Sequence, residues 1–86
     1  MSGYNNDKTI TFSIKNDKDS ESRRILQSVY SALLENGYDP VVQIVGYILS
    51  EDPTYITNYK NARSLIRKID RYDLLDLLVR NYFGIQ

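Results

Sequence analysis

Apolar and polar positions alternate along this chain with two different periods. Residues 40–49, PVVQIVGYIL, are apolar at seven of ten positions, with Gln43 and Gly46 three apart as the interruptions. A helix that is apolar nearly all round is buried nearly all round. A short apolar run also permits a buried strand. The flanks favour a helix: Asp39 is a good N-cap, Pro40 suits the first helical position, and Ser50-Glu51-Asp52-Pro53 closes the far end. This stretch is predicted as a central helix, with Ile44 and Ile48 fully buried and the other segments wrapped around it.

Upstream, Ile25, Leu26, Val29, Tyr30, Leu33 and Leu34 recur at helical spacing, opposite Arg24, Gln27, Ser28, Ser31 and Glu35. Ser20 or Ser22 would start this helix, and Asn36-Gly37 would end it. Downstream, Asp52-Pro53 predicts one short helical turn, and Asn61 is a candidate cap for the helix after it. Ala62, Leu65, Ile66 and Ile69 make the inner stripe of that helix. Arg71-Tyr72-Asp73 breaks or bends the chain. A last, strongly apolar helix carries Leu74, Leu75, Leu77, Leu78, Val79, Tyr82 and Phe83, up to Gly84.

The N-terminal pattern differs. Residues 1–8 are polar and read as an arm. Thr9-Ile10-Thr11-Phe12-Ser13-Ile14 alternates strictly between hydroxyl and apolar, which is a strand pattern. No other segment is a convincing partner strand, so the arm is expected to be extended or disordered. The expected fold is all-α: a bundle of about five helices (residues 19–86) behind an N-terminal arm (residues 1–18). Three helices have more apolar circumference than an 86-residue chain can enclose, which predicts a homodimer.

Composition narrows the chemistry. The chain has no cysteine and no histidine. That removes disulfides, thiolate metal sites, and the commonest general base and metal ligand. No Asp/Glu cluster has the spacing of a metal loop, no glycine-rich phosphate loop occurs, and no nucleophile–base pair stands out. No cofactor and no enzymatic activity are expected. No apolar run reaches membrane-spanning length, and MSGYNNDK lacks an apolar signal core, so a cytoplasmic protein is expected. The eight tyrosines suggest no chemistry; Tyr30, Tyr47 and Tyr82 read as core or interface residues with their hydroxyls at the rim.

Net charge is zero, but its distribution is uneven: residues 60–71 hold Lys60, Arg63, Arg67, Lys68 and Arg71 against Asp70 alone. Arg63, Arg67 and Arg71 fall on one face of a continuous helix at i, i+4 spacing. An ordinary solvated face mixes signs, so this row is a candidate partner surface for anionic groups. A helix–turn–helix DNA reader is the alternative, with the row in the major groove. The long connection after residue 50 and the zero net charge argue against it.

Several motifs in series also resemble a known family: Tyr38-Asp39-Pro40, Gln43-Ile44-Val45-Gly46-Tyr47-Ile48-Leu49-Ser50, Asp52-Pro53-Thr54-Tyr55-Ile56 and Asn61-Ala62-Arg63-Ser64-Leu65-Ile66-Arg67-Lys68. They resemble the IreB family, called ReoM in some relatives, small regulatory phosphoproteins of Gram-positive bacteria. The resemblance implies a helical homodimer that is the substrate of a membrane Ser/Thr kinase with extracellular PASTA repeats and of a cognate phosphatase. It implies control of cell-wall synthesis and antibiotic tolerance, in some relatives through Clp-protease degradation of the enzyme that commits UDP-N-acetylglucosamine to peptidoglycan. The family phosphoacceptor lies in a D-x-T-x-x-F segment, matched here by Asp7-Lys8-Thr9-Ile10-Thr11-Phe12, so Thr9 is the implied site. Asn6 stands where some relatives carry a second Thr, and Thr11 is an additional hydroxyl. Arg63 and Arg67 match family arginines, and Arg71 sits where relatives carry another.

Overall fold

The computed structural model describes the backbone of residues 2–85 and the side chains of residues 19–85. Four α-helices follow one another: α1 (Ser2–Glu35), α2 (Pro40–Ser50), α3 (Ala62–Ile66) and α4 (Arg71–Phe83). Two 3-10 turns, Pro53–Tyr55 and Tyr59–Asn61, fill the connection between α2 and α3. The all-α expectation holds, and no strand occurs among the described residues.

The strand reading of Thr9–Ile14 has no counterpart, because the bounds of α1 take in that stretch. A strand without a neighbour leaves its N–H and C=O groups unpaired, whereas a helix pairs them within itself. The helix start expected at Ser20 or Ser22 is likewise internal to α1. The N-terminal segment expected to be the phosphoacceptor arm, with Thr9 and Thr11, lies outside the residues whose side chains are described.

The helix ends follow local chemistry. At the C-terminus of α1, Gly37 is left-handed at φ +85°. The Tyr38 N–H donates to the Leu33 carbonyl (2.9 Å) and the Gly37 N–H to the Leu34 carbonyl (3.0 Å), a Schellman closure. Asp39 caps α2, accepting from the N–H groups of Val41 (3.0 Å) and Val42 (3.4 Å), with Pro40 in the first turn. Asp52 caps the first 3-10 turn by accepting from the Thr54 N–H (3.0 Å) and hydroxyl (2.7 Å). Asp70 caps α4 through the Tyr72 N–H (3.1 Å), and left-handed Gly84 ends it. Asn61 behaves differently from expectation: it is left-handed at φ +62° and its side chain caps nothing.

The core assembles on α1. Val29 and Leu33 are fully buried against Ile56, Ala62, Ile66 and Leu74, with Ile25, Ala32, Tyr47 and Ile69 around them. The predicted inner stripe is buried although it outruns α3: Ala62 and Ile66 of α3 and Ile69 beyond its end are buried, and Leu65 is half-buried. The predicted centrality of α2 is not. Only Pro40 and Tyr47 of that helix are buried. Ile44 and Ile48 are half-buried, and Val41, Val42, Val45 and Leu49 are 65, 57, 48 and 78% exposed. One chain contacts α2 along one side, and its apolar circumference exceeds what that contact covers. Tyr30 and Tyr82 are also exposed, at 41 and 81%, while Tyr47 is buried.

Candidate interaction surfaces

Two features of the surface stand out: an apolar face built on α2, and the cations of residues 60–71. The apolar face includes a groove of about 470 Å³ where α1, α2 and α4 meet. Leu26 and Tyr30, Val41, Ile44 and Val45, and Leu77 and Leu78 form its apolar walls. Arg23 and Asn81 lie at its rim, joined by a hydrogen bond from the guanidinium Nη1 to Oδ1 (3.2 Å). Leu75, Val79, Tyr82 and Phe83 add further exposed apolar surface on α4. Tyr82 and Phe83 meet edge to face with ring centroids 5.0 Å apart. Contiguous apolar surface of this kind marks contact sites rather than ordinary solvent-facing helix.

The basic row does not form as expected. The helix carrying it stops at Ile66, with Arg67 at its C-cap, and α4 begins at Arg71. Arg63, Arg67 and Arg71 therefore belong to different backbone segments rather than to one helix face. Arg63 is half-buried and donates from Nε to the Ile56 carbonyl (2.8 Å). Arg71 donates from Nη1 to the Ile48 carbonyl (2.9 Å) and pairs through Nη2 with the Glu51 carboxylate (2.7 Å). Arg67 is exposed and has no side-chain hydrogen bond or ion pair with a described residue. Of the other cations, Lys60 pairs with Glu35 (2.8 Å), while Lys68 is exposed beside a small cleft that Glu21, Asp70 and Asp73 also line. Glu35 and Glu51, the acids that pair with Lys60 and Arg71, lie 25 and 20 residues away in sequence, so a scan at i±4 misses them.

The segment between the two arginine contacts explains most of the motif series. Gln43 donates from Nε2 to the Tyr55 carbonyl (2.8 Å). The Ser50 hydroxyl donates to the Gly46 carbonyl (2.7 Å) and accepts from the Asp52 N–H (3.1 Å). Glu51 caps α2 in a left-handed conformation at φ +61°. The Asp52 carboxyl is held below its ordinary pKa, chiefly by the Thr54 hydroxyl, then by the Thr54 N–H, with a smaller contribution from the Arg63 charge. At the following turn, Lys60 and Asn61 are consecutive left-handed residues at φ +52° and +62°. The hydrogen bond and charge of Lys60 lower the Glu35 pKa, and the Tyr59 hydroxyl adds to this by donating to Glu35 (3.3 Å). Glu35 in turn raises the Lys60 pKa.

No group of His, Cys, Asp or Glu among the described residues is arranged to hold a metal ion. Residues 51–61 separate α2 from α3 and contain both 3-10 turns, unlike the three- or four-residue turn of a helix–turn–helix. No helix among the described residues is long and apolar enough to cross a membrane.

Residues 7–84 match the family model described as IreB regulatory phosphoprotein. A UPF0297 protein of Ruminiclostridium cellulolyticum is 54% identical over 74 residues, covering 86% of this chain and 84% of the relative. A UPF0297 protein of Acetivibrio thermocellus is 54% identical over 77 residues, covering 90% of this chain and 86% of the relative.

Proposed function

The chain belongs to the IreB family of regulatory phosphoproteins, and from that premise we propose that it is a non-enzymatic adaptor controlled by phosphorylation of Thr9. The family match carries this reading, because it spans residues 7–84 and so includes the Asp7-Lys8-Thr9-Ile10-Thr11-Phe12 segment. A PASTA-type Ser/Thr kinase adds the phosphate and a cognate phosphatase removes it, in the cytoplasm. The downstream process is cell-wall synthesis, through a cell-wall enzyme or the Clp protease machinery. A phosphate brings roughly −1.5 to −2 charges and strong acceptor oxygens, enough to create or abolish a contact at a basic surface.

The working form is a homodimer. The exposed apolar faces of α2 and α4 support this, because a second copy would cover the surface that one chain leaves open. The basic segment supplies the contact to an anionic partner.

The test is phosphorylation of the full chain by the kinase domain from the same cell. Phosphate is expected on Thr9, and Thr9→Ala should remove most of the incorporation while Thr11→Ala leaves it. Incorporation lost with Thr11→Ala and kept with Thr9→Ala overturns the assignment.

A further inference from the structure

We propose that Asn36 is a site of spontaneous deamidation, its side-chain amide converted by solvent water to a carboxylate, and that the Thr57 hydroxyl restrains the reaction. The site closes α1 and is independent of Thr9 and of the basic segment.

Of the seven asparagines in the chain, only Asn36 is followed by glycine. Glycine has no Cβ, so its backbone nitrogen approaches the preceding side chain with the least hindrance. Asn36 and Gly37 are both exposed, and nothing lies within 4 Å of where a Gly37 Cβ would stand, so water reaches the turn. The Gly37 nitrogen gives its proton to water or hydroxide and bonds to the Asn36 Cγ. The Cγ–Nδ2 bond breaks, and the nitrogen leaves as ammonia with a proton from solvent. The succinimide ring so formed takes up a water. Opening on the side-chain side gives aspartate. Opening on the main-chain side gives isoaspartate, with the backbone rerouted through Cγ.

The fold ties up both reacting groups. The Gly37 N–H donates to the Leu34 carbonyl (3.0 Å), and the Asn36 Nδ2 donates to the Thr57 Oγ1 (3.1 Å). Ring closure has to break both bonds. The first is a backbone bond of the helix end. The second depends on Thr57, which is itself held in place. Thr57 is half-buried, its hydroxyl also accepts from the Tyr59 N–H (3.1 Å), and its carbonyl accepts from the Arg63 N–H (3.1 Å). Either product replaces the amide donor with a carboxylate. That charge stands next to Glu35 at the C-terminal end of α1, where the helix dipole disfavours it. Isoaspartate also lengthens the backbone inside the turn that closes the helix. Deamidation thus loosens α1 from the connection that carries Thr57, Tyr59 and Lys60.

Peptide mapping by mass spectrometry of the full chain, aged at mildly alkaline pH, tests the site. Aspartate and isoaspartate should accumulate at residue 36 faster than at any other asparagine. Faster accumulation elsewhere, or none at residue 36, overturns the site. Thr57→Ala should raise the rate at Asn36 several-fold, and Thr57→Ser, which keeps a hydroxyl, should leave it near the wild-type rate. Ile25→Val weakens the core of α1 away from its C-terminal end, so it separates local release of the amide from loosening of the whole fold. Its rate at Asn36 should stay near that of the wild type. Equal rates in Thr57→Ala and the wild type, or in Thr57→Ala and Ile25→Val, overturn Thr57 as the restraint. Asn36→Asp, which fixes one product, should lower the thermal midpoint by a few degrees. An unchanged midpoint overturns the loosening of α1.

Discussion

The ring of Tyr55 packs on the bare Cα of Gly46, where a Cβ would stand 3.0 Å or less from three ring carbons. The α-helix and the 3-10 turn after it meet through this contact and through the hydrogen bond from Gln43 to the Tyr55 carbonyl. Gln43 and Gly46, the two interruptions of an otherwise apolar run, are both explained by one neighbour.

Gly46→Ala sets two effects against each other. Alanine in place of a mid-helix glycine gains about 0.5–1 kcal/mol. Overpacking against Tyr55 costs about 1–3 kcal/mol. Urea unfolding should show a net loss near 1 kcal/mol. In a Tyr55→Ala background the sign should reverse and Gly46→Ala should stabilise. Two additive values would show that the ring contact does not constrain Gly46.

Core substitutions should rank by burial on α1 and α3 rather than by position in the apolar run. Leu33→Ala and Ile66→Ala, at fully buried positions, should each cost about 2–5 kcal/mol. Ile48→Ala, at a half-buried one, should cost about half as much. Equal losses in denaturant titrations would return α2 to the centre of the molecule.

Sedimentation at tens of micromolar should give twice the 10.0 kDa chain mass. Val45→Asp places a carboxylate in the apolar groove and should yield a folded monomer, because an unpaired charge is costly to bury at an interface. A wild-type monomer at that concentration would remove the dimer from the proposed function.

Acid should weaken the connection between α2 and α3. Asp52 and Glu35 have lowered pKa values in the fold, so unfolded chains bind more protons as pH falls through the range below their ordinary values of 3.8 and 4.5. Their contribution is fully present above those values and is lost as pH drops through the folded ones. Lys60 runs the other way: its pKa is raised, so its contribution is lost as pH climbs above 10.5 through the folded value. Thermal midpoints of Asp52→Asn and Glu35→Gln should fall less steeply with acid than the wild type. Parallel slopes would show that these carboxylates do not set the acid response.

The sequence shows those helix ends that are made by local chemistry: Gly37, Asp39-Pro40, Asp52-Pro53 and Gly84 each act within a few residues. It also shows Ala62 and Ile66 as inward positions, since helical spacing fixes which side of α3 faces the body. It does not show what covers α2, because an apolar circumference records the need for burial and not its source. The basic segment misled for a related reason. Spacing places Arg63, Arg67 and Arg71 on one face only if the helix continues, and it breaks after Ile66. The carbonyls of Ile48 and Ile56 that hold two of these arginines carry no signal in residue type.

The one-sided attachment of α2 bears on how the molecule opens. Buried side chains from α1, α3 and α4 interlock at Val29, Leu33, Ile66 and Leu74, whereas α2 contributes Tyr47 to that cluster. Its amide protons should therefore exchange with solvent through a local opening well below the global unfolding free energy, while those near Val29 and Ile66 wait for the whole chain. A second copy seated on α2 would close that route, so its exchange should slow as protein concentration rises while the rates at Val29 stay fixed. Under proteolysis the same asymmetry makes the connection after Ser50 open to cleavage before the segments around Val29 and Ile66 in dilute solution.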